Sequence, residues 1–135
     1  MPYADKTRVP VQRSKNELEA LLRRRGAQGF AAAWDQTSDR IEFLREGIRI
    51  RFVLPRATKR SPTAQEQHDR QRWRALILVI KAKLEAVDSG IAVFEEEFLA
   101  NIVDERSDRT VGQFLVPRIQ AKQQLMLAGD SEANR

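Results

Sequence analysis

The sequence has no cysteine and a single histidine, His68. Without thiols the chain cannot build a disulfide framework, a thiolate zinc site, an iron–sulfur centre or a cysteine nucleophile. One histidine per chain also excludes a two-histidine metal site or a histidine pair for acid–base catalysis within one subunit. The sequence also lacks a glycine-rich phosphate loop and a serine nucleophile elbow. We therefore predict a protein that is not an enzyme and needs no cofactor.

Long apolar segments are missing as well. The longest uninterrupted run, ALILVI at residues 75–80, is far shorter than the roughly 20 residues of a membrane-spanning helix. The opening stretch, MPYADKTRVPV, has neither the apolar centre nor the cleavage site of a secretory signal. With 135 residues, 41% of them hydrophobic and 32% charged, the composition is that of one globular domain. We expect a cytoplasmic protein that does not contact a membrane.

Charge is present in quantity and is unevenly distributed. The 24 basic and 19 acidic side chains give a net charge of +5. Residues 1–83 hold 19 basic and 9 acidic side chains, whereas residues 84–135 hold 5 basic and 10 acidic ones. Most of the basic excess is arginine, whose forked donors match phosphates and carboxylates. The pattern favours a nucleic acid, a nucleotide or an acidic protein as partner. Two alternatives stay open: a solvated face, and head-to-tail pairing of basic and acidic halves between subunits.

The first part of the chain predicts an arm, a short strand and a helix. Residues 1–8 are expected to be irregular, and residues 9–11 to form an edge strand, because Pro10 cannot donate to a sheet ladder. The SKNE segment at 14–17 is a capping box that predicts a helix start, and Gly26 predicts its end. The helix is expected to bury three leucines, Leu18, Leu21 and Leu22.

Alternating apolar residues then predict three antiparallel strands. Their buried faces are expected to carry Phe30, Ala32 and Trp34, then Ile41 and Phe43, and then Ile48, Ile50, Phe52 and Leu54. The opposite face carries Arg40, Glu42, Arg49 and Arg51. Pro55 ends the last strand, and residues 56–61 predict a basic mobile loop.

The second half predicts helices. Ser61 and Pro62 are the N-cap and first residue of a long helix that runs to about Ser89. Its buried stripe is Trp73, Leu76, Ile77, Ile80, Leu84 and Val87. After Gly90 a further helix is expected to bury Ile91, Phe94, Phe98 and Ile102. A charged turn at 104–109 precedes a last helix, which carries Val111, Phe114, Leu115, Pro117 and Ile119 and is capped by Thr110 and Gln113.

These elements predict an α+β, two-layer fold. A small antiparallel sheet of three to four strands has one helix before the meander and two to three helices after it. Residues 1–128 form a single domain, and residues 129–135 form a disordered tail. The helices are expected to cover the apolar sheet face and leave the arginine face open. Because the small sheet has two free edges, we also predict a homo-oligomer.

Two surfaces are candidates for binding phosphate. Alternate residues on a strand lie roughly 6.6 Å apart, which is close to the spacing of successive backbone phosphates. The predicted site residues are Arg40, Arg49 and Arg51 on the sheet face, Arg56, Lys59 and Arg60 in the loop, and Arg70 and Arg74 one turn apart on the long helix. Aromatic platforms are scarce, because Trp34, Phe43, Phe52 and Trp73 are all expected in the core. Tyr3 is the aromatic residue that this interpretation leaves free to stack.

The acidic residues predict no metal site. Three consecutive helical glutamates, Glu95, Glu96 and Glu97, point about 100° apart and cannot converge on one ion. The segment 104–108 lacks the glycine and the ligand rhythm of a calcium loop. A metal-dependent nuclease is therefore the weakest hypothesis, and His68 is expected to be exposed and structural.

Six stretches of the chain resemble a family of small, mostly uncharacterised proteins of tailed bacteriophages and prophages. They are TRVPV at 7–11, GAQGF at 26–30, WRAL at 73–76, KAKLEAV at 81–87, FEEEFL at 94–99 and TVG at 110–112. The resemblance implies an accessory protein in the cytoplasm of a bacterial host. It implies a role in DNA metabolism or in countering host defence, and carries no site residue over.

Two functional hypotheses follow from these observations. The first is a non-catalytic phage protein that binds nucleic acid through the arginine-rich sheet face. The alternative is an anti-defence protein that inhibits a host defence protein, or captures a nucleotide signal, by stoichiometric binding.

Overall fold

A computed structural model describes the backbone of residues 3–133 and the side chains of residues 11–130. The helices are α1 (Tyr3–Arg24), α2 (Pro62–Asp88), α3 (Phe94–Glu97) and α4 (Val111–Ala133). The strands are β1 (Gly29–Trp34), β2 (Ser38–Arg45), β3 (Ile48–Pro55), β4 (Val103–Asp104) and β5 (Arg109–Thr110). A 3₁₀ turn spans Leu99–Asn101. The predicted α+β class, with one helix before a three-stranded meander and further helices after it, is confirmed.

Helix α1 begins much earlier than predicted. The expected irregular arm and edge strand are wrong for residues 3–11, which are helical, and residues 1 and 2 lie outside the described part. Val11 packs against the core seven residues before Leu18, so it continues the helical stripe of α1 toward the amino terminus. This spacing outweighs the local bias of Pro10, and the SKNE segment lies inside the helix.

Strands β1, β2 and β3 form the predicted antiparallel meander, in the order β1-β2-β3. Glu46 and Gly47 make the tight turn between β2 and β3, and both have positive φ, at 55° and 77°. A two-residue turn of this kind matches the right-handed twist of the strands and favours glycine at its second position. It sets the register in which Phe43 lies opposite Ile50 and Glu42 opposite Arg51.

The core lies between one face of this sheet and helices α1 and α2. It holds the three predicted leucines of α1, together with Ile41, Phe43 and Ile50 of the sheet. The predicted stripe of α2 is confirmed: Trp73, Leu76, Ile77, Ile80 and Leu84 are buried, and Val87 packs against them. Ser61 caps α2 as predicted, since its hydroxyl accepts from the backbone of Ala64 at 3.1 Å. This packing is the two-layer arrangement.

The segment after Gly90 is not the continuous helix that the sequence predicted. It consists of the four-residue α3 and the 3₁₀ turn, and Ile91 is 84% exposed rather than buried. Phe94 and Phe98 are buried as expected. The chain turns here because Ile102 bridges to Ile50 of β3, which brings the β4–β5 hairpin alongside that strand. The helical period of the apolar residues did not reveal this pairing.

Helix α4 begins as predicted but does not pack on the sheet. Its capping box is present: the Thr110 hydroxyl accepts from the Gln113 backbone at 3.1 Å, and the Gln113 amide oxygen accepts from the Thr110 backbone at 2.8 Å. The helix passes through Pro117 and ends at Ala133, beyond the predicted boundary at 128; residues 134–135 lie outside the described part. From Gln113 to Asp130 every residue is exposed. The expected third covering helix therefore points away from the core.

Within residues 3–133, no helix is long and apolar enough to cross a membrane.

Candidate nucleic-acid interface

On the arginine-bearing face of the sheet, carboxylate groups pair with the two arginines of β3, Arg49 and Arg51. Arg51 is only 5% exposed, and each of its three nitrogen atoms donates a hydrogen bond. Its Nε lies 2.6 Å from Glu42 Oε1, Nη2 lies 2.7 Å from Asp108 Oδ1, and Nη1 lies 2.7 Å from the Asp108 carbonyl oxygen. A guanidinium with all its nitrogens engaged in this way has little capacity left for a phosphate.

Arg49 is held by the same acidic groups. Its guanidinium donates to Glu105 at 2.8 Å, to Glu42 at 3.1 Å and to Asp108 at 3.3 Å. The expectation of an open arginine face is therefore wrong at this end, because the turn of the β4–β5 hairpin supplies carboxylates to it. The predicted site residues Arg49 and Arg51 serve as internal ion-pair partners.

These contacts shift the pKa values of the carboxyl groups involved. Partial burial of Glu42 opposes its ionisation, but hydrogen bonds from Arg51 and Arg49 outweigh this effect and hold its pKa below the ordinary value. Hydrogen bonds from the same two arginines lower the pKa of Asp108. Glu42 and Asp108 are therefore both ionised at neutral pH.

The basic and acidic halves also pair elsewhere within the chain. Arg25 contacts Glu85 at 3.2 Å and Asp88 at 2.9 Å, and Arg45 contacts Asp88 at 3.0 Å. Head-to-tail pairing between subunits is thus not needed to account for these charges, since much of the asymmetry along the sequence is resolved inside one molecule.

Trp34 is the clearest departure from the sequence prediction. It was expected in the core, but 62% of its side chain is exposed. Trp34 is the last residue of β1 and lies opposite Asp39. Every residue of this outer strand from Ala31 to Trp34 is exposed, including Ala32, which was also expected on the buried face. The Arg56 guanidinium carbon lies 5.5 Å from the centroid of the Trp34 ring. An exposed indole with a cation over it is therefore present at this end of the sheet.

The surroundings of Trp34 are held in place by local hydrogen bonds. Arg56 donates to Asp39 Oδ1 at 3.0 Å, and its backbone N–H donates to the Thr37 carbonyl at 2.8 Å. Asp35 accepts from the backbone N–H groups of Thr37 at 2.7 Å and Ser38 at 2.8 Å, which closes the turn after Trp34. Hydrogen bonds from Thr37, backbone first and then side chain, lower the pKa of Asp35.

The basic loop continues directly from Arg56. Lys59 and Arg60 are exposed, and neither side chain forms an ion pair or a cation–π contact with any described side chain. The loop end is fixed to α2, because the Lys59 backbone N–H donates to Gln65 at 2.9 Å. We name Trp34, Arg56, Lys59 and Arg60 the Trp34 surface.

Next to this surface lies a shallow depression that the sequence did not indicate. Asp39, Arg56, Asp69 and Arg72 line it, above the buried Trp73. Arg72 is half-buried, and its Nε has no hydrogen-bond partner. Arg72 stands one residue before the core anchor Trp73, and only the position of β3 beneath α2 places it here.

The remaining predicted basic residues lie apart from the Trp34 surface. Arg40 is exposed on the sheet face opposite the one that carries Trp34, and it pairs with Val53 of β3. Arg70 pairs with Glu66, one turn earlier on α2. Arg74 is exposed and, among the described side chains, has no ionic partner. Of the eight predicted residues, Arg56 contacts Trp34, and Lys59 and Arg60 follow it in the exposed loop. Arg49 and Arg51 are brought together instead by the carboxylates that they share.

The acidic residues and the histidine have local roles. Glu97 lies 3.6 Å from Lys83, and Asp104 accepts from Ser107 at 2.8 Å within the hairpin turn. Within the described residues, no group of three or more His, Asp or Glu side chains is placed to hold a metal ion. His68 is half-buried rather than exposed, and its Nε2 has no hydrogen-bond partner.

Comparison of the chain with protein-family models, with curated proteins and with solved structures found no match in any of the three. The resemblance to phage and prophage proteins therefore stays a prediction. A function for this chain has to be argued from its own residues and their geometry.

Proposed function

We propose that this protein binds single-stranded nucleic acid, without catalysis, through the Trp34 surface. The observation that carries the proposal is the exposed Trp34 ring beside Arg56 and the free cations of the basic loop. Proteins that bind single strands combine a positively charged path for the backbone with aromatic side chains on which bases stack. The Trp34 surface supplies both components within one short segment of structure.

A single strand suits this geometry better than a duplex. In a duplex the bases are already stacked on one another, so an indole at a protein surface has no base face to contact. An unpaired base can lie on Trp34, and such contacts contribute about 1–3 kcal/mol per base. Stacking tolerates any base, so we expect little sequence preference.

The charge on this surface is modest. Arg56 is shared with Asp39, and hydrogen bonding to that carboxylate raises the pKa of Arg56. Lys59 and Arg60 remain for the phosphates. Two phosphate contacts on a single strand predict a slope of about −1.4 for log K against log salt concentration. The resemblance to phage proteins supports an accessory role in handling phage DNA.

The decisive experiment is a titration of fluorescein-labelled oligothymidine, about 20 nucleotides long, followed by anisotropy over a salt series. Trp34→Ala should weaken binding at least about fivefold, which corresponds to the lower end of a stacking contact. Lys59→Gln with Arg60→Gln should weaken binding and flatten the salt slope. The matched control is Arg23→Gln with Arg24→Gln, which removes the same charge at the other end of β1 and should have little effect.

Tryptophan fluorescence gives a second readout from the same titration. Trp73 is 2% exposed, so quenching by the oligonucleotide should come from Trp34 and vanish in Trp34→Ala. Absence of salt-dependent binding at about 100 mM salt, or unchanged affinity in Trp34→Ala, would contradict the proposal. A mononucleotide that competes as well as the oligomer would also contradict it and favour capture of a nucleotide signal instead.

A further inference from the structure

The three-stranded sheet has one closed edge and one free edge. At the β3 edge, the Arg51 carbonyl accepts a hydrogen bond from the Asn101 side chain at 3.0 Å, and Ile50 bridges to Ile102. At the other edge β1 is the outermost strand, and among the described residues no strand pairs with its outer side. A free edge presents a row of unpaired N–H and C=O groups to which another extended chain can bind.

Three residues of β1 direct their backbone groups outward. The Asp35 N–H donates to the Ser38 carbonyl at 3.0 Å, so the backbone of Asp35 faces β2. Successive residues of an antiparallel strand face alternate sides. Phe30, Ala32 and Trp34 therefore each present one N–H donor and one C=O acceptor at the free edge. The strand, GFAAAW, has no charged residue and no proline, which are the residues that commonly protect such an edge.

A second copy of β1 fits this edge in one antiparallel register. When Ala32 lies opposite Ala32 of the second copy, Phe30 of each copy lies opposite Trp34 of the other, and every outward N–H and C=O group gains a partner. A shift by two residues leaves one of the three outward residues unpaired in each copy. A groove of about 250 Å³ beside Phe30, lined by Leu22 and Arg23, leaves room for the end of the second strand. The strand is therefore self-complementary, as a two-fold interface requires.

The charges on the arginine-bearing face favour the same register. Arg40 lies next to Ala33, and Glu42 lies next to Ala31. Because Ala33 of one copy is then opposite Ala31 of the other, the exposed Arg40 of each copy lies in one row with Glu42 of its partner. Glu42 belongs to a cluster in which three carboxylates face two arginines, so unlike charges are in line. With Ala33 on the axis instead, Arg40 would be in line with its own counterpart.

We propose that two copies of this chain pair through antiparallel β1 strands, with Ala32 on the two-fold axis, into one continuous sheet. The new hydrogen bonds lie in the plane of the sheet, so the face that carries Trp34 stays open. Both Trp34 surfaces lie on the same side of the dimer. It follows, resting on the proposed function, that one single strand contacts both of them.

Light scattering on the full chain tests the pairing. We expect a mass of twice 15.5 kDa at about 100 μM, a concentration chosen because one strand pair is a small interface. Ala32→Pro should be monomeric, since proline removes an outward donor that the chain's own sheet does not use. Ala32→Val keeps that donor and is the matched control. A monomeric natural chain, or an Ala32→Pro chain that is folded by circular dichroism and still dimeric, would overturn the proposal.

A charge test checks the register, because only a residue on the axis lies opposite itself. Ala32→Lys and Ala32→Glu each place like charges opposite each other, and each should weaken the dimer at least about threefold. An equal mixture of the two variants should form a heterodimer that is tighter than either homodimer. A mixture that associates no more tightly than its components would overturn this register.

Binding stoichiometry tests the shared single strand separately. With the labelled oligothymidine of the anisotropy experiment, the natural chain should bind one oligonucleotide per two chains, and Ala32→Pro one per chain. One oligonucleotide per chain in both would overturn the shared strand. Absence of binding in both would contradict the proposed function, whereas light scattering without nucleic acid reports the pairing by itself.

Discussion

Arg51 shows how a single buried cation can be accommodated in a small domain. Its partners come from the neighbouring strand and from a hairpin more than fifty residues later in the chain. A buried charge is tolerated only where opposite charges and hydrogen bonds replace its hydration. The Glu42–Arg51 contact was accessible from the sequence, because a two-residue turn at Glu46 and Gly47 places these residues opposite each other. The contact between Arg51 and Asp108 could not be predicted from the sequence, because it depends on how the chain turns after Gly90.

Glu42→Gln should lower the free energy of unfolding by about 2 kcal/mol, because Arg51 loses one of its two carboxylate partners while it stays buried. Glu105→Gln is the matched control. Glu105 contacts Arg49 in the same cluster, but its side chain is 68% exposed, so its loss should cost less than about 0.5 kcal/mol. Urea denaturation of both variants measures the difference. Equal losses of unfolding free energy in the two variants would show that the burial of Arg51 does not determine how much these ion pairs stabilise the fold.

The lowered pKa values of Glu42 and Asp108 predict destabilisation in acid. The folded carboxyls bind protons more weakly than the unfolded ones, so their contribution is complete above the ordinary values of 4.5 and 3.8. It is lost as the pH falls through the lower folded pKa values. Urea midpoints should therefore stay level from about pH 7 to 5 and then decline. Glu42→Gln should decline less steeply, and an unchanged acid slope in this variant would exclude the cluster as the cause.

At the scale of elements, prediction succeeded where a local signal and a periodic stripe agreed. Helix α2 has both, in the Ser61 cap and in the stripe from Trp73 to Leu84, and its bounds were anticipated. Helix α1 was shortened because Pro10 was interpreted as a break, although Val11 extends the stripe. Trp34 fits the apolar alternation of β1. Alternation predicts which face of the sheet a side chain lies on, but it does not predict whether a helix covers that part of the face.

The start of α4 depends on a close approach that only glycine permits. A Cβ atom on Gly112 would lie 2.9 Å from the Ala100 carbonyl oxygen and 3.3 Å from the Ala100 Cβ. Gly112→Ala should therefore push α4 away from the 3₁₀ turn and cost about 1–3 kcal/mol. Gly129→Ala, later in the same helix, meets nothing within 4 Å and should stabilise the helix by about 0.5–1 kcal/mol. Thermal unfolding at one protein concentration compares the two, and equal effects would contradict the contact.

At the scale of the whole molecule, the contrast between a basic first part and an acidic second part acquires a structural meaning. The sequence left open whether these charges face a ligand, the solvent or another subunit. Four arginines of the first part form ion pairs with acidic residues of the second part, namely Arg25, Arg45, Arg49 and Arg51. In the basic loop Arg56 pairs with Asp39, whereas Lys59 and Arg60 have no ionic partner among the described side chains. The uncovered aromatic residue lies beside that loop.

The molecule thus separates into a folded body and a projecting helix. The buried core and the residues that pack on it lie between Val11 and Ile102, so none of α4 takes part. A chain that ends at Gln113 should therefore retain its near-ultraviolet circular dichroism and unfold cooperatively. Its urea midpoint should stay close to that of the full chain.

The truncated chain also tests whether α4 takes part in binding. It keeps Trp34 and the basic loop, so its affinity for oligothymidine should match that of the full chain. Loss of the cooperative transition on truncation would show instead that α4 supports the core. A folded, truncated chain that no longer binds at all would place the binding surface on α4.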